Sequence, residues 1–117
     1  MRILNQRDKR EIARDVTVAR SVLARLVGLI GRDSMAEGSA LIIPGCRQVH
    51  TWLMRFSIDI LFCDRQNRII SALENVKPFR LTGYYSSASY TIELPAGTIS
   101  AFGLKQGDVM LIEDSYV

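Results

Sequence analysis

The fold is decided by residues 49–62, which read Val-His-Thr-Trp-Leu-Met-Arg-Phe-Ser-Ile-Asp-Ile-Leu-Phe. Alternate side chains of an extended chain point to the same side, so one uninterrupted strand would carry a continuous apolar face. That face would comprise His50, Trp52, Met54, Phe56, Ile58, Ile60 and Phe62. Because strands usually have about five or six residues, the length of this stretch predicts a bend or bulge near residues 55–57.

Short β-strands separated by turns are predicted on both sides of this stretch. Runs rich in β-branched and other apolar residues are bounded by Pro-Gly, polar or Gly-Asp turns, a pattern typical of strands. The polar residues 64–68 predict a hairpin, from which the next strand pairs back antiparallel. The predicted strands outside 49–62 are 11–18, 40–43, 69–76, 89–94 and 109–113.

Two helical segments interrupt the strands. After Arg20, six apolar residues fall within one arc of a helical wheel, which predicts an amphipathic helix that ends at Gly31. These residues are Val22, Leu23, Leu26, Val27, Leu29 and Ile30. A single helical turn is predicted over residues 99–102, with Thr98 as its N-terminal cap and Gly103 as its end.

Length and composition indicate one mainly β domain over residues 1–117, built as a small barrel or a jelly-roll-like sandwich. A chain of 117 residues is too short for two ordinary domains, and a hydrophobic fraction of 48% is sufficient for one core. Because the strands do not alternate with long helices, a βαβ fold is excluded.

The N-terminus indicates a cytoplasmic protein. Charged residues occupy positions 7–14, where a signal peptide would need an apolar segment. In that compartment Cys46 and Cys63 are expected to be reduced. With two cysteines and one histidine, the chain has no zinc-type spacing, and no cofactor or metal is indicated. The apolar runs are also too short to span a membrane.

The positive charge is concentrated in residues 1–32, which hold eight basic and three acidic side chains. A basic segment of this kind can attract RNA or another polyanion. Here the basic residues are interleaved with acidic ones, and no aromatic residue is available among them for base stacking. A solvated basic face is therefore favoured over a nucleic-acid site, although an RNA-associated role remains an alternative.

Several separate motifs, taken in order, resemble the domain of unknown function 192 family. They are Arg25-Leu-Val-Gly28-Leu29-Ile-Gly31-Arg32, Pro44-Gly45-Cys46, Val49-His50-Thr51-Trp52-Leu53-Met54-Arg55 with Ile58-Asp59, Glu93-Leu94-Pro95-Ala96-Gly97, and Gly103 with Gly107-Asp108. The resemblance covers residues 11–114. It implies a compact β barrel or jelly-roll-like domain of bacteria and archaea, and it implies no activity, substrate or cofactor.

Asp59 lies between Ile58 and Ile60 in the most apolar part of the chain. A buried carboxylate needs a partner, because an unpaired buried charge costs several kcal/mol. We therefore expect a structural ion pair between Asp59 and Arg25 or Arg32 of the predicted helix. A role as catalytic acid or base is the alternative.

Two function classes are compatible with the remaining polar residues. His50, Trp52, Met54 and Arg55 could form a shallow site for a small molecule or a peptide, since binding sites combine apolar walls with a few polar groups. The competing interpretation is that Trp52 and Met54 are core residues. The alternative function is a small hydrolase- or transferase-like enzyme, in which Cys46 and His50 form a nucleophile pair with Asp59 or Glu93 as orienting group. The non-catalytic binding domain is preferred, because few polar groups lie outside turns.

Overall fold

The computed structural model describes residues 1–20, 33–52 and 54–114. These residues form eight strands and one short helix. In chain order the elements are β1 (Arg2–Asn5), β2 (Glu11–Ala13), β3 (Asp15–Val18), β4 (Ser39–Pro44), β5 (Ile58–Cys63), β6 (Ile69–Val76), β7 (Tyr90–Pro95), α1 (Thr98–Phe102) and β8 (Met110–Glu113).

The strands form two sheets. The smaller sheet has the order β2-β1-β8, and the larger sheet has the order β3-β4-β7-β5-β6. Neighbouring strands are antiparallel except β3 and β4, which run parallel. The described strands form an open sandwich rather than a closed barrel, so the mainly β class is confirmed and the sandwich alternative is the correct one.

The centre of the larger sheet is buried on both faces. Leu61, Ile92 and Leu94 pack against the smaller sheet, whereas Ile60 and Phe62 pack in a second core that includes Val49, Met54 and Ala88. Every residue of β5 is buried as a result. A strand covered on both faces has no polar alternation, which explains the continuous apolar run of its sequence.

The strand predicted over residues 11–18 is wrong in one respect, because it is two strands. The chain breaks at Arg14, so that β2 belongs to the smaller sheet and β3 to the larger. The backbone N–H groups of Arg14 and Asp15 both donate to the carbonyl of Gly38, at 2.9 and 3.1 Å. This shared acceptor holds the corner at which the chain changes sheets.

The bend predicted near residues 55–57 is confirmed, because the chain bends at Arg55 and Phe56 and the strand begins only at Ile58. Residues 49–52 pair instead with residues 79–82, outside both sheets. The single face that an uninterrupted strand would have carried is therefore absent: Trp52 is exposed, while Met54 and Phe62 are buried in the core.

Most remaining strand predictions are confirmed, and the helix predictions had mixed outcomes. The amphipathic helix was predicted on residues 21–32, which lie outside the described part of the chain. Gly103 ends α1 with φ 60°, as predicted, but the predicted N-terminal cap is wrong. Gly97 with φ 95° occupies that position, and the Thr98 hydroxyl donates instead to the carbonyl of Pro95 at 2.7 Å.

Candidate binding site on an exposed aromatic ribbon

Residues 49–52 and 79–82 form a short antiparallel ribbon. His50 and Leu81 are paired across it. The N–H of Thr51 donates to the carbonyl of Arg80 at 2.9 Å, and the N–H of Phe79 donates to the carbonyl of Thr51 at 3.0 Å. These bonds give the ribbon a defined backbone although it belongs to neither sheet.

The inner side of the ribbon is anchored to the protein. Val49 and Thr51 are buried. The Thr51 hydroxyl donates to the carbonyl of Lys77 at 2.6 Å and accepts the N–H of Arg80 at 3.0 Å. Since side chains alternate along an extended segment, the inward position of Val49 and Thr51 turns His50 and Trp52 outward.

The outer side of the ribbon carries an apolar surface, which we call the aromatic patch and define as His50, Trp52, Phe79 and Leu81. The exposed fractions of Trp52, Phe79 and Leu81 are 53%, 71% and 59%. The rings of His50 and Trp52 lie 5.0 Å apart between centroids at an interplanar angle of 37°. Adjacent large apolar side chains that remain exposed mark interaction surfaces, whereas scattered single ones do not.

Phe79 adopts an unusual backbone conformation. Its φ of 62° lies in the left-handed region, where bulky L residues are rare. Such a conformation costs of the order of 1–3 kcal/mol and persists where the surrounding structure imposes it. Backbone strain of this kind, at a residue whose side chain contributes little to the core, is typical of functional surfaces.

The sequence-predicted binding residues are divided between the surface and the interior. The rings of His50 and Trp52 contact each other on the ribbon at a tilted angle, and Arg55 is exposed, with its guanidinium 3.6 Å from the Asp33 carboxylate. Both partners of that pair are well exposed to water, so it contributes little stability. Met54 is buried in the core beneath the ribbon. Phe79 and Leu81 were not predicted, because nothing in their local pattern places them opposite residues 49–52.

Asp59 is buried in β5, as predicted. Its two carboxylate oxygens accept the backbone N–H groups of Asn75 at 2.9 Å and Ile99 at 2.8 Å. The side chain therefore ties both β6 and the first turn of α1 to β5. The predicted partners Arg25 and Arg32 lie outside the described residues, so the ion pair stays a prediction.

The two cysteines differ in accessibility. Burial raises the pKa of Cys63 to about 12, so this thiol is neutral and unreactive at physiological pH. Cys46 is partly buried, and its thiol donates to the carbonyl of Gln48 at 3.2 Å. The pairing of Cys46 with His50 as a nucleophile stays a prediction.

The part of the chain that the structure describes contains no group of three His, Cys, Asp or Glu side chains that could hold a metal ion. Among the helices in the same residues, none has the length and apolar character needed to cross a bilayer.

Three of the N-terminal arginines engage acidic partners of the same chain. Arg2 contacts Glu113 at 2.6 Å, and Arg14 contacts Glu11 at 2.7 Å. Arg7 donates through Nε to the Asp108 carboxylate at 3.1 Å. These contacts reduce the positive charge that residues 1–20 present to a polyanion.

Asp108 was read from the sequence as part of a turn, but it is the centre of a buried network. Its carboxylate accepts hydrogen bonds from Arg7, from the Asn5 amide at 3.1 Å and from the N–H of Lys105 at 3.2 Å. Burial alone would raise the pKa of Asp108, but these hydrogen bonds outweigh it and hold the pKa below its usual value. The network joins the end of β1 to the turn that precedes β8.

The fold and the ribbon together define a small two-sheet sandwich with an exposed aromatic surface at one side. The chain belongs to the DUF192 family, described as Uncharacterized ACR, whose model matches residues 3–112. This match confirms the resemblance drawn from the sequence motifs. No curated protein is detectably similar in sequence.

Two crystal structures share the fold. A protein of unknown function from Novosphingobium aromaticivorans superposes with a TM-score of 0.78 at 16% identity, covering 96% of this chain and 84% of its own. A proposed transcription regulator from Sinorhizobium meliloti superposes with a TM-score of 0.76 at 24% identity, covering 94% of this chain and 89% of its own. At these identities the likeness shows the fold alone.

Proposed function

We propose that this protein is a non-catalytic binding domain whose aromatic patch takes up a peptide segment of a partner protein. The observation that carries the proposal is the contact between the His50 and Trp52 rings, with Trp52 exposed, on a ribbon that the Thr51 hydroxyl anchors through hydrogen bonds to Lys77 and Arg80. A pre-formed surface loses little conformational entropy on binding, which favours affinity.

A peptide suits the patch better than a small molecule does. Small ligands prefer concave pockets that enclose most of their surface. Trp52, Phe79 and Leu81 each expose more than half of their surface, so they form an open contact area and not an enclosed pocket. Aromatic residues in such areas contribute much of the binding energy of protein interfaces.

The two alternative functions have weaker support. An enzyme that uses Cys46 would need a thiol activated by a neighbouring base, and the contact found for this thiol is a hydrogen bond to a backbone carbonyl. An RNA-associated role would need free cations at the N-terminus, where Arg2, Arg7 and Arg14 contact carboxylates.

The tryptophan content of the chain makes the proposal directly testable. Trp52 is the single tryptophan, so fluorescence excited selectively at tryptophan, without the four tyrosines, reports on the patch alone. Titration with a panel of short peptides of different charge and apolar content should shift its emission to shorter wavelength as the ring leaves water. Sugars and nucleotides form the comparison panel.

The required control separates loss of the patch from loss of the fold. Leu81→Ser should abolish the emission shift and leave the thermal midpoint nearly unchanged, because the side chain is 59% exposed. Tyr84→Ser removes an equally exposed apolar side chain outside the patch, and it should leave binding intact. A full panel of peptides without any emission shift would contradict the proposal.

A further inference from the structure

Strand β6 is an edge of the larger sheet, and it runs beside the ribbon. It is the longest strand among the described residues, from Ile69 to Val76. Its outer edge is bonded at Ile69, which exchanges backbone hydrogen bonds with Gly107 and Asp108. Beyond Ile69, no described strand pairs with the outer edge. Edge strands expose unpaired N–H and C=O groups that can accept an additional strand.

A groove of about 540 Å³ follows this edge. One wall is residues 72–77, and the other is residues 80–82 of the ribbon. Consecutive residues of a strand point to opposite faces, so a groove that contacts all of them lies along the edge and not on one face. Leu81 belongs both to the groove and to the aromatic patch, which makes the two surfaces continuous.

Irregular pairing limits how much of the edge is usable. The register between β5 and β6 shifts at both ends of the strand, which leaves Ser71, Ala72 and Leu73 as the regular part. Asn75, with φ 51°, lies in the second irregularity. β-Bulges twist an edge away from indiscriminate pairing, so a strand added here is short.

The charges at the two ends of β6 favour a different protein, and not a second copy of this chain, as the partner of this edge. The exposed basic residues Arg65 and Arg68 precede β6, and the exposed Lys77 and Arg80 follow it. Each end also has one acidic side chain, Asp64 or Glu74, and so keeps a net positive charge. An antiparallel second copy would bring like-charged ends together, which is unfavourable. A segment with carboxylates at its ends is complementary.

We propose that the ligand of the aromatic patch is a short extended peptide, apolar in the middle and acidic at both ends, that adds as a strand to β6. Its backbone pairs with residues 71–73, one apolar side chain packs on Leu81, and one carboxylate lies near Lys77 and Arg80. Strand addition is a recurrent mode of peptide recognition, in which backbone bonds supply affinity and side-chain contacts supply specificity. This inference rests on the proposed function and specifies its partner.

The experiment uses acetyl-Glu-Val-Thr-Val-Glu-amide, titrated into the full chain and followed by amide chemical shifts and Trp52 fluorescence. Two analogues of this peptide are N-methylated at every second amide, one at the odd positions and the other at the even positions. Methylation removes the N–H donors on one edge of the extended peptide and keeps every side chain. One analogue should bind about tenfold more weakly than the other, since only one of the two sets of amides faces β6 and its methylation removes about two backbone hydrogen bonds. The largest amide shifts should fall on residues 71–73.

Protein variants test the charge argument. Lys77→Glu should weaken binding of the acidic peptide several-fold, whereas Lys105→Glu makes the same charge change in the connection before β8 and should have no effect. Equal binding by both N-methyl analogues would overturn strand addition and leave the peptide-binding function standing. If another peptide shifts Trp52 emission and this one does not, the acidic partner class is wrong. If no peptide binds, the proposed function itself fails.

Discussion

Replacing Phe79 separates the stability of this protein from its proposed function. The φ of 62° at Phe79 costs an L residue about 1–2 kcal/mol, whereas glycine adopts this conformation freely. Glycine in turn loses about 0.5–1 kcal/mol more than alanine through its freedom in the unfolded chain. We therefore expect Phe79→Gly to be about 0.5–1 kcal/mol more stable than Phe79→Ala, the reverse of the usual order.

The comparison with the natural protein follows from the exposure of the ring. Complete burial of a phenylalanine side chain is worth about 1.5–3 kcal/mol. With 71% of Phe79 exposed, roughly a third or less of that value is lost on truncation. Relief of strain offsets this loss, so Phe79→Gly should lie within about 1 kcal/mol of the natural chain and still bind peptides much more weakly.

Urea unfolding of the two variants measures the difference in the free energy of unfolding. Tyr84 is the matched control, since it is 62% exposed and does not adopt a positive φ. At that position the glycine variant should be less stable than the alanine variant. Should Phe79→Ala equal or exceed Phe79→Gly in stability, the backbone at Phe79 is not strained and the reasoning is refuted.

Three further predictions concern buried groups. Asp59→Asn replaces an acceptor of two backbone N–H groups by a poorer one, and should lower the free energy of unfolding by about 2–4 kcal/mol in urea; an unchanged value would remove its structural role. The folded-state pKa of Asp108 lies below the usual value of about 3.9. Its stabilising contribution is therefore complete above that pH and is lost as the pH falls through the folded-state pKa, so Asp108→Asn should flatten the acid dependence of stability. Iodoacetamide should modify Cys63 only after unfolding, as mapped by mass spectrometry; modification of Cys46 faster than free cysteine would instead favour the enzyme alternative.

Local sequence was informative wherever one segment determines its own structure. The hairpin of β5 and β6 follows from two apolar runs joined by a polar turn, and Gly103 ends α1 because glycine tolerates a positive φ. The mainly β class and the burial of Asp59 follow from the same kind of reading. Each of these features depends on residues that are close in the chain.

Pairings between distant segments were not predictable in this way. Strand β1 was missed because its pairing with Met110–Glu113 connects the two ends of the chain, and a four-residue segment carries little pattern of its own. The partners of Asp59 are backbone N–H groups, which every residue except proline has and which leave no mark in a sequence.

The candidate site likewise depends partly on local sequence and partly on pairing between distant segments. Composition drew attention to His50 and Trp52 and could not say whether they were core or surface. The pairing of residues 79–82 with residues 49–52 decided between these positions, because it placed Thr51 inside, left Trp52 exposed and left His50 half-buried. The sequence by itself determined which side chains were available for binding. Tertiary pairing decided which of these side chains are exposed to solvent, because the exposure of a side chain depends on what packs against its strand and not on the adjacent residues in the chain.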